Sequence, residues 1–99
     1  MWYAIFGEDM PDSLSLRKKL RPAHLDRLKP LLEDNRVLVV GPHPLSDDDG
    51  SQTEGFSGSL MIVEFSSLQE AQEWAEADPY MEGGVFNKIT VKPFIKVAP

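Results

Sequence analysis

The sequence predicts an α+β fold in which four strands and two helices follow the order β-α-β-β-α-β. Four short segments are rich in β-branched and aromatic residues, two longer segments repeat apolar residues at helical spacing, and Gly, Pro and acidic residues separate them. Right-handed crossovers place both helices on one side of the sheet. The expected architecture is therefore ferredoxin-like, a four-stranded antiparallel sheet with two helices on one face.

Four segments are predicted as strands. WYAIFG at residues 2–7 is aromatic and β-branched, and RVLVVG at 36–41 is followed by the turn-forming GPHP. GSLMIVEF at 58–65 is apolar at nearly every position, which is typical of a strand covered on both faces. The last strand, at 85–97, contains Pro93, which predicts a bend or an edge because proline cannot donate to a sheet.

The first helix is predicted over residues 14–35, with Asp12 or Ser13 as its N-cap. Pro22 favours the first turn of a helix over its interior, so a break or kink between Leu20 and Pro22 is an alternative. The sequence therefore allows either a single long helix or a broken one.

The second helix is predicted to begin at Ser67, because Ser67 and Glu70 have the spacing of a capping box. It should end near Ala77, since the residue before Pro79 is disfavoured in the helical region. Residues 42–55 have turn formers and no apolar period, which indicates a solvated loop long enough to form a pocket rim.

Composition limits the function classes. The 99 residues suit a single domain, 1–99, and no apolar run approaches the roughly 20 residues of a bilayer span, so no membrane role is expected. The N-terminus lacks the basic start of a signal peptide and there are no cysteines, which favours the cytoplasm. A net charge of −6 argues against nucleic acid as a partner, because phosphate binding depends on Lys and Arg.

The predicted arrangement leaves one face of the sheet without helices. The first and third strands are apolar, and an exposed apolar face of this size would aggregate. We therefore expect a homodimer joined sheet to sheet.

The stretch RPAHLDRL, residues 21–28, places cationic groups in an apolar helix face. On a helical wheel Arg21, His24 and Arg17 all fall within the arc of the leucines, although Arg17 leaves this arc if the helix breaks before Pro22. His24 could be a core histidine with a satisfied ring nitrogen, and Arg21 could be a partly buried ion pair or reach water. A functional pair aimed at an anionic ligand is the other interpretation.

A second candidate is ADPY, which contains Asp78 and Tyr80. A helix stop and a turn would explain Pro79 but not the tyrosine. An aspartate held by the following proline could instead accept a hydrogen bond from a histidine ring, fix its tautomer and raise its basicity.

The remaining candidates are weaker. His43 in GPHP is expected to be a loop histidine, and its spacing to the aspartates at 47–49 matches no metal-ligand template. Ser59 follows a glycine at a strand start and lacks the strand-turn-helix setting of a hydrolase nucleophile. Phosphate loops and dinucleotide fingerprints are missing, so we expect neither a metal nor an organic cofactor.

Taken together, the aromatic first strand, RPAHLDRL, VLVVGP, GFSGS, WAEADPY and the closing VKPF resemble the YciI-like family over nearly the whole chain. The resemblance implies a dimeric α/β-barrel, in which ferredoxin-like protomers pair their sheets. It also implies a pocket centred on His24 and Asp78, with Arg21 as a neighbour and Tyr80 and Ser59 at family-like positions. Some relatives are linked to dechlorination or turnover of aromatic compounds, and related barrels include cofactor-free oxygenases and lactone isomerases.

Two function hypotheses follow. The first is a small cofactor-independent enzyme of lyase, isomerase or dehydrochlorinase type, in which Asp78 orients His24 for acid–base chemistry and Arg21 holds a small anionic substrate, aromatic ones included. Tyr80 and Ser59 would complete the substrate site. The second is a non-catalytic dimeric domain that binds a small metabolite or a protein partner.

Overall fold

A computed structural model describes residues 1–47 and 54–99. Within them the strands are β1 (Trp2–Asp9), β2 (Val37–Pro44), β3 (Phe56–Glu64) and β4 (Phe86–Phe94), and the helices are α1 (Leu14–Asp26), α2 (Lys29–Glu33), α3 (Leu68–Glu76) and α4 (Pro79–Glu82).

The described strands form one antiparallel sheet in the order β2-β3-β1-β4. The predicted α+β, ferredoxin-like arrangement is confirmed. Pro93 lies on β4, which is an edge strand as predicted, so its missing N–H interrupts no ladder with a further strand.

Alternate residues of the two central strands face the helices and form the core. Tyr3 and Ile5 of β1 lie opposite Val63 and Met61 of β3. Each buried side chain of this size contributes about 1.5–3 kcal/mol through removal of apolar surface from water. The helices and the segments that flank them complete this cluster with Leu28, Leu31, Phe65, Ala71 and Ala75.

The predicted first helix is broken, but not before Pro22. Pro22 lies inside α1, and the break falls at residues 27–28, just before Pro30 in the first turn of α2. Pro30 has no N–H to donate to the carbonyl of Asp26, so α1 ends at Asp26. Pro22 likewise leaves the carbonyl of Lys18 without a helical hydrogen bond. Both residues are exposed, so water can bind that carbonyl and the helix continues.

The N-caps of α1 and α3 use their serine side chains differently. Ser67 caps α3 as predicted, with Oγ accepting from the Glu70 N–H at 3.0 Å. Ser13 is the N-cap residue of α1 but makes no side-chain cap bond, because its hydroxyl donates to Asp9 instead. The chain after α3 forms the short helix α4 where only a turn was predicted.

The predicted loop at residues 42–55 is wrong in one part and lies outside the described residues in another. β2 extends through residues 42–44, so His43 is a strand residue paired with Gly58 and not a loop histidine. Residues 48–53 of the predicted pocket rim, with two of the three aspartates, lie outside the described part of the chain. No helix that the structure describes has both the length and the apolar character needed to cross a bilayer.

Candidate functional site

His24 and Asp78, 54 residues apart, are in direct contact. The Nδ1 atom of His24 lies 2.8 Å from Oδ1 and 2.9 Å from Oδ2 of Asp78, and the two residues are 5% and 1% exposed. With the carboxylate accepting from Nδ1–H, a neutral imidazole has its lone pair on Nε2. Among residues 1–47 and 54–99, Nε2 has no hydrogen-bond partner, and it is not one of the fully buried polar atoms.

The local sequence fixes the Asp78 carboxylate. The residue before a proline favours extended backbone, and Asp78 has φ −61° and ψ 133° as the N-cap of α4. Its Oδ1 accepts from the Tyr80 N–H at 2.8 Å, while Pro79 occupies the first helical turn, where an N–H is not needed. One carboxylate therefore caps a helix and holds the imidazole.

Tyr80 forms a wall of the site. Its ring lies parallel to that of His24, with centroids 3.9 Å apart and planes within 3°, and it meets Phe86 edge to face at 5.6 Å. The phenol donates to the Arg17 carbonyl at 3.2 Å. Burial raises the pKa of Tyr80 above 10.0, and the positive charges of Arg17 and Arg21 oppose that shift in part.

A buried ion pair lies beside the histidine. Arg17 donates from Nε to Asp9 Oδ2 at 2.6 Å and from Nη2 to Asp9 Oδ1 at 2.9 Å. Its Nη2 also donates to the Gly58 carbonyl at 3.0 Å and to Ser59 Oγ at 2.9 Å. The network ties α1 to β1 and β3, and Ser59 enters it as an acceptor for Arg17.

These residues surround a small cleft. Its volume is about 150 Å³, and its polar lining comes from Arg17, Arg21, His24, Ser59 and Tyr80. Leu25 and residues 40–42 of β2 form the remaining walls. A cavity of this size holds a single benzene ring.

The five predicted site residues all line this cleft or support it. His24, Ser59 and Tyr80 line it, Arg21 lines it with an exposed side chain instead of the inward position that the wheel indicated, and Asp78 holds His24 from behind. Arg21 is thus free to reach a ligand from solvent.

Sequence reasoning left one member of the site open and missed another. Arg17 shares the face of His24 only if the helix continues through Pro22, and the unbroken α1 places both on that face. Asp9 gave no sequence signal: it lies where the β1–β4 register shifts, beyond the predicted end of the strand.

The described residues 1–47 and 54–99 contain no group of three or more His, Cys, Asp or Glu side chains placed to hold a metal ion. The electrostatics of the cleft come instead from two guanidinium groups, one of them neutralised by Asp9. What the arrangement offers chemically is an oriented imidazole and an exposed cation beside an aromatic-sized space.

Comparison with known proteins adds the family. The YCII-related domain matches residues 1–95. The chain belongs to this family. Protein YciI from Escherichia coli is 48% identical over 97 residues, covering 98% of this chain and 99% of that protein.

Two further members of the comparison carry chemical names. A protein from Emericella nidulans named "Derivative of benzaldehyde biosynthesis cluster protein C" is 33% identical over 86 residues. The match covers 82% of this chain and 85% of that protein. The 5-chloro-2-hydroxyhydroquinone dehydrochlorinase from Burkholderia phenoliruptrix, solved with 2,5-dihydroxybenzoquinone, superposes with a TM-score of 0.81 at 32% identity, covering 96% and 94% of the two chains.

Proposed function

We propose that this protein is a small acid–base enzyme that eliminates from, or isomerises, a small anionic ring compound. The observation that carries this proposal is the buried contact between His24 and Asp78 with Nε2 unoccupied beside an aromatic-sized cleft. A general base needs an available lone pair and a fixed orientation, and this contact supplies both.

The proposed reaction begins with His24 Nε2 taking a proton from the substrate. The Asp78 carboxylate stabilises the imidazolium that forms, as an oriented partner does in other histidine sites. In a dehydrochlorination the substrate loses this proton and a chloride ion, so the electron pair of the broken C–Cl bond leaves with chlorine. Arg21, exposed at the cleft, binds the substrate oxygen on which negative charge is held.

Tyr80 and Ser59 are proposed to contact substrate. The Tyr80 ring lines the cleft while its hydroxyl is bound to the Arg17 carbonyl, so it offers a flat surface to an aromatic ring. Ser59 Oγ accepts from Arg17 and keeps its own O–H for a substrate oxygen. The structural neighbour acts on a chlorinated, hydroxylated ring, which supports this substrate class.

The test is chloride release from 5-chloro-2-hydroxyhydroquinone by the purified protein. We expect H24Q and D78N to lower kcat by about 10²- to 10⁴-fold, the usual contribution of general acid–base catalysis, while thermal unfolding stays cooperative. H43Q is the matched control because His43 lies on β2 beside Gly58 and not in this cleft. Full activity of H24Q would overturn the proposal.

The same assay separates the non-catalytic alternative. If the unmodified protein releases no chloride, yet 2,5-dihydroxybenzoquinone raises its Tm and R21Q abolishes that increase, the site binds anionic rings without turning them over. Consumption of substrate by the unmodified protein excludes this outcome.

We also propose that two copies pair through the sheet face that points away from the helices. Ala4, Phe6, Leu60, Ile62 and Val39 share this face by their register, and Phe6 and Val39 are 38% and 47% exposed. Ala4 and Ile62 are already buried in the single chain, so pairing would remove from water the apolar surface of Phe6 and Val39 and part of Leu60.

Light scattering after gel filtration tests the pairing. F6D should give a monomer because it buries a charge in the interface. L32D is the control, since Leu32 is 55% exposed but lies on α2. A dimer that persists in F6D contradicts this arrangement.

A further inference from the structure

Arg27 lies near Asp78 and does not line the cleft. Its Nη2 donates to the Trp74 carbonyl at 2.7 Å, and its guanidinium carbon lies 4.4 Å from the centroid of the Trp74 ring. The other terminal nitrogen, Nη1, lies 3.9 Å from Asp78 Oδ2. Arg27 is not among the groups that line the cleft, so a ligand there would not touch it.

The position of Nη1 is unusual. It is a buried polar atom without a hydrogen-bond partner among the residues that the structure describes. A separation of 3.9 Å is too long for a hydrogen bond but short enough for a strong Coulomb attraction in a partly desolvated setting. Burial lowers the pKa of Arg27, and the negative charge of Asp78 is the largest influence that opposes this.

The charge of Asp78 poses a problem for His24. A buried carboxylate with no cation nearby favours a second proton on the imidazole, because an ion pair then replaces a lone buried charge. A doubly protonated imidazole has no lone pair and cannot act as a base. Arg17 and Arg21, which line the cleft together with His24, oppose that second proton from the cleft, although Asp9 neutralises Arg17. Arg27 adds a positive charge beside the carboxylate itself and removes a further part of that bias.

We infer that Arg27 is a positioning residue which offsets the Asp78 charge and so keeps His24 in its neutral form with Nε2 available. This inference rests on the proposed function of His24 as the base. Arg27 acts through Asp78: its Nη1 and the imidazole share the same carboxylate, whose Oδ2 is 2.9 Å from Nδ1.

A purely structural anchor is the competing role, since Arg27 also joins the end of α1 to α3 through Trp74. The chain contains an arginine with similar contacts that lies away from His24 and Asp78. Arg36 donates from Nη2 to the Glu64 carbonyl at 2.9 Å, lies 5.5 Å from the Phe65 ring centroid and 3.8 Å from Glu70. The exposures of the two arginine side chains are also similar, 23% and 28%.

The experiment is a titration of the His24 ring followed by ¹⁵N NMR, read without substrate. We expect R27Q to increase the proton affinity of the ring about three- to tenfold, which moves the titration midpoint upward by about 0.5–1 pH unit. R36Q should leave the midpoint unchanged. R27K, which keeps the charge, should restore most of the unmodified behaviour.

A D78N background tests the route of the effect. There, R27Q reports the direct repulsion between Arg27 and a protonated imidazole, and the part of the shift that is lost relative to the Asp78 background is the part that depends on the carboxylate. An identical shift in both backgrounds would overturn the action of Arg27 through Asp78. An unchanged midpoint in R27Q with Asp78 present would overturn the role of Arg27 and leave the dyad mechanism standing. Absence of chloride release would overturn the mechanism, but the effect of Arg27 on the His24 titration could still be measured.

The unmodified protein gives an outcome that depends on no variant. At pH 7 its His24 should show the ¹⁵N signature of a neutral ring protonated on Nδ1. The signature of a doubly protonated ring would overturn the inference, even if R27Q and R27K both failed to fold.

Discussion

Tyr80 lies flat on His24, with the two ring centroids 3.9 Å apart and the planes within 3°. The tyrosine N–H is bonded to the same Asp78 carboxylate that holds the imidazole. The tripeptide Asp78–Tyr80 at the start of α4 therefore restrains the imidazole in its plane through the carboxylate and across its face through the phenol ring.

This stack predicts different effects for two substitutions of Tyr80. Y80F keeps the ring and loses the bond to the Arg17 carbonyl, so we expect a loss of about 0.5–1.5 kcal/mol in the free energy of unfolding and a kcat close to that of the unmodified protein. Y80L removes the flat surface, and kcat should fall because the imidazole is less well oriented. Urea unfolding and the chloride assay measure both; equal kcat for the two variants would contradict an orienting role for the ring.

The raised pKa of Tyr80 predicts a loss of stability in alkali. Folded Tyr80 keeps its proton to higher pH than the unfolded chain, whose tyrosine titrates near 10.0, so the unfolded state gains from ionisation first. The free energy of unfolding should therefore fall as pH increases beyond about 10. Urea unfolding at pH 9 and pH 11 should show a smaller decrease for Y80F, and identical decreases would refute this assignment.

The Arg17–Asp9 pair should be needed for stability more than for chemistry. The two side chains are 7% and 1% exposed, so R17M leaves a buried carboxylate without its main partner and should cost about 3–5 kcal/mol. The double variant D9L/R17M should cost less than the sum of the single variants, because neither charge is then left unpaired. Urea unfolding checks this, and additive losses would contradict the coupling.

Gly7 is predicted to be required for its small size. A Cβ placed there would lie 2.5 Å from the ring of Phe86, which supports Tyr80 edge to face. We expect G7A to lose about 1–3 kcal/mol through overpacking. G41A is the control, because a Cβ at Gly41 meets nothing within 4 Å. Equal unfolding free energies for the two variants would show that the Phe86 ring moves away at little cost.

Much of the fold could be predicted because local signals agreed with one another. The apolar runs gave four strands in the correct order, Ser67 and Glu70 gave the start of α3, and Pro93 gave an edge strand. The predicted ends of the strands and helices were less accurate. β1 runs to Asp9 because the antiparallel pairing with β4 continues past the glycine that suggested its end.

Part of the site was visible in the sequence and part was not. Helical spacing marked His24, which faces inward as predicted, and Arg21, which is exposed instead of inward-facing. The proline that follows Asp78 marked that aspartate. Arg17 depended on whether Pro22 breaks the helix, a question that propensity alone leaves open because an exposed proline can be tolerated when water serves the freed carbonyl. Arg27 acts through Trp74 and Asp78, which lie far along the chain, so no local pattern marks it. Asp9 meets the nearby Arg17 where the β1–β4 register shifts, and no local pattern predicts that shift.

The sequence by itself determined the strand and helix order, the capping of α3 and the conformation of Asp78, since backbone preferences and hydrogen bonds between near neighbours decide these. Only the tertiary structure decided that Asp78 meets His24 across 54 residues, that Tyr80 stacks on that imidazole and that Arg27 faces the same carboxylate. Those contacts depend on how α1, α3 and α4 pack together, and packing joins residues whose separation along the chain carries no periodic signal.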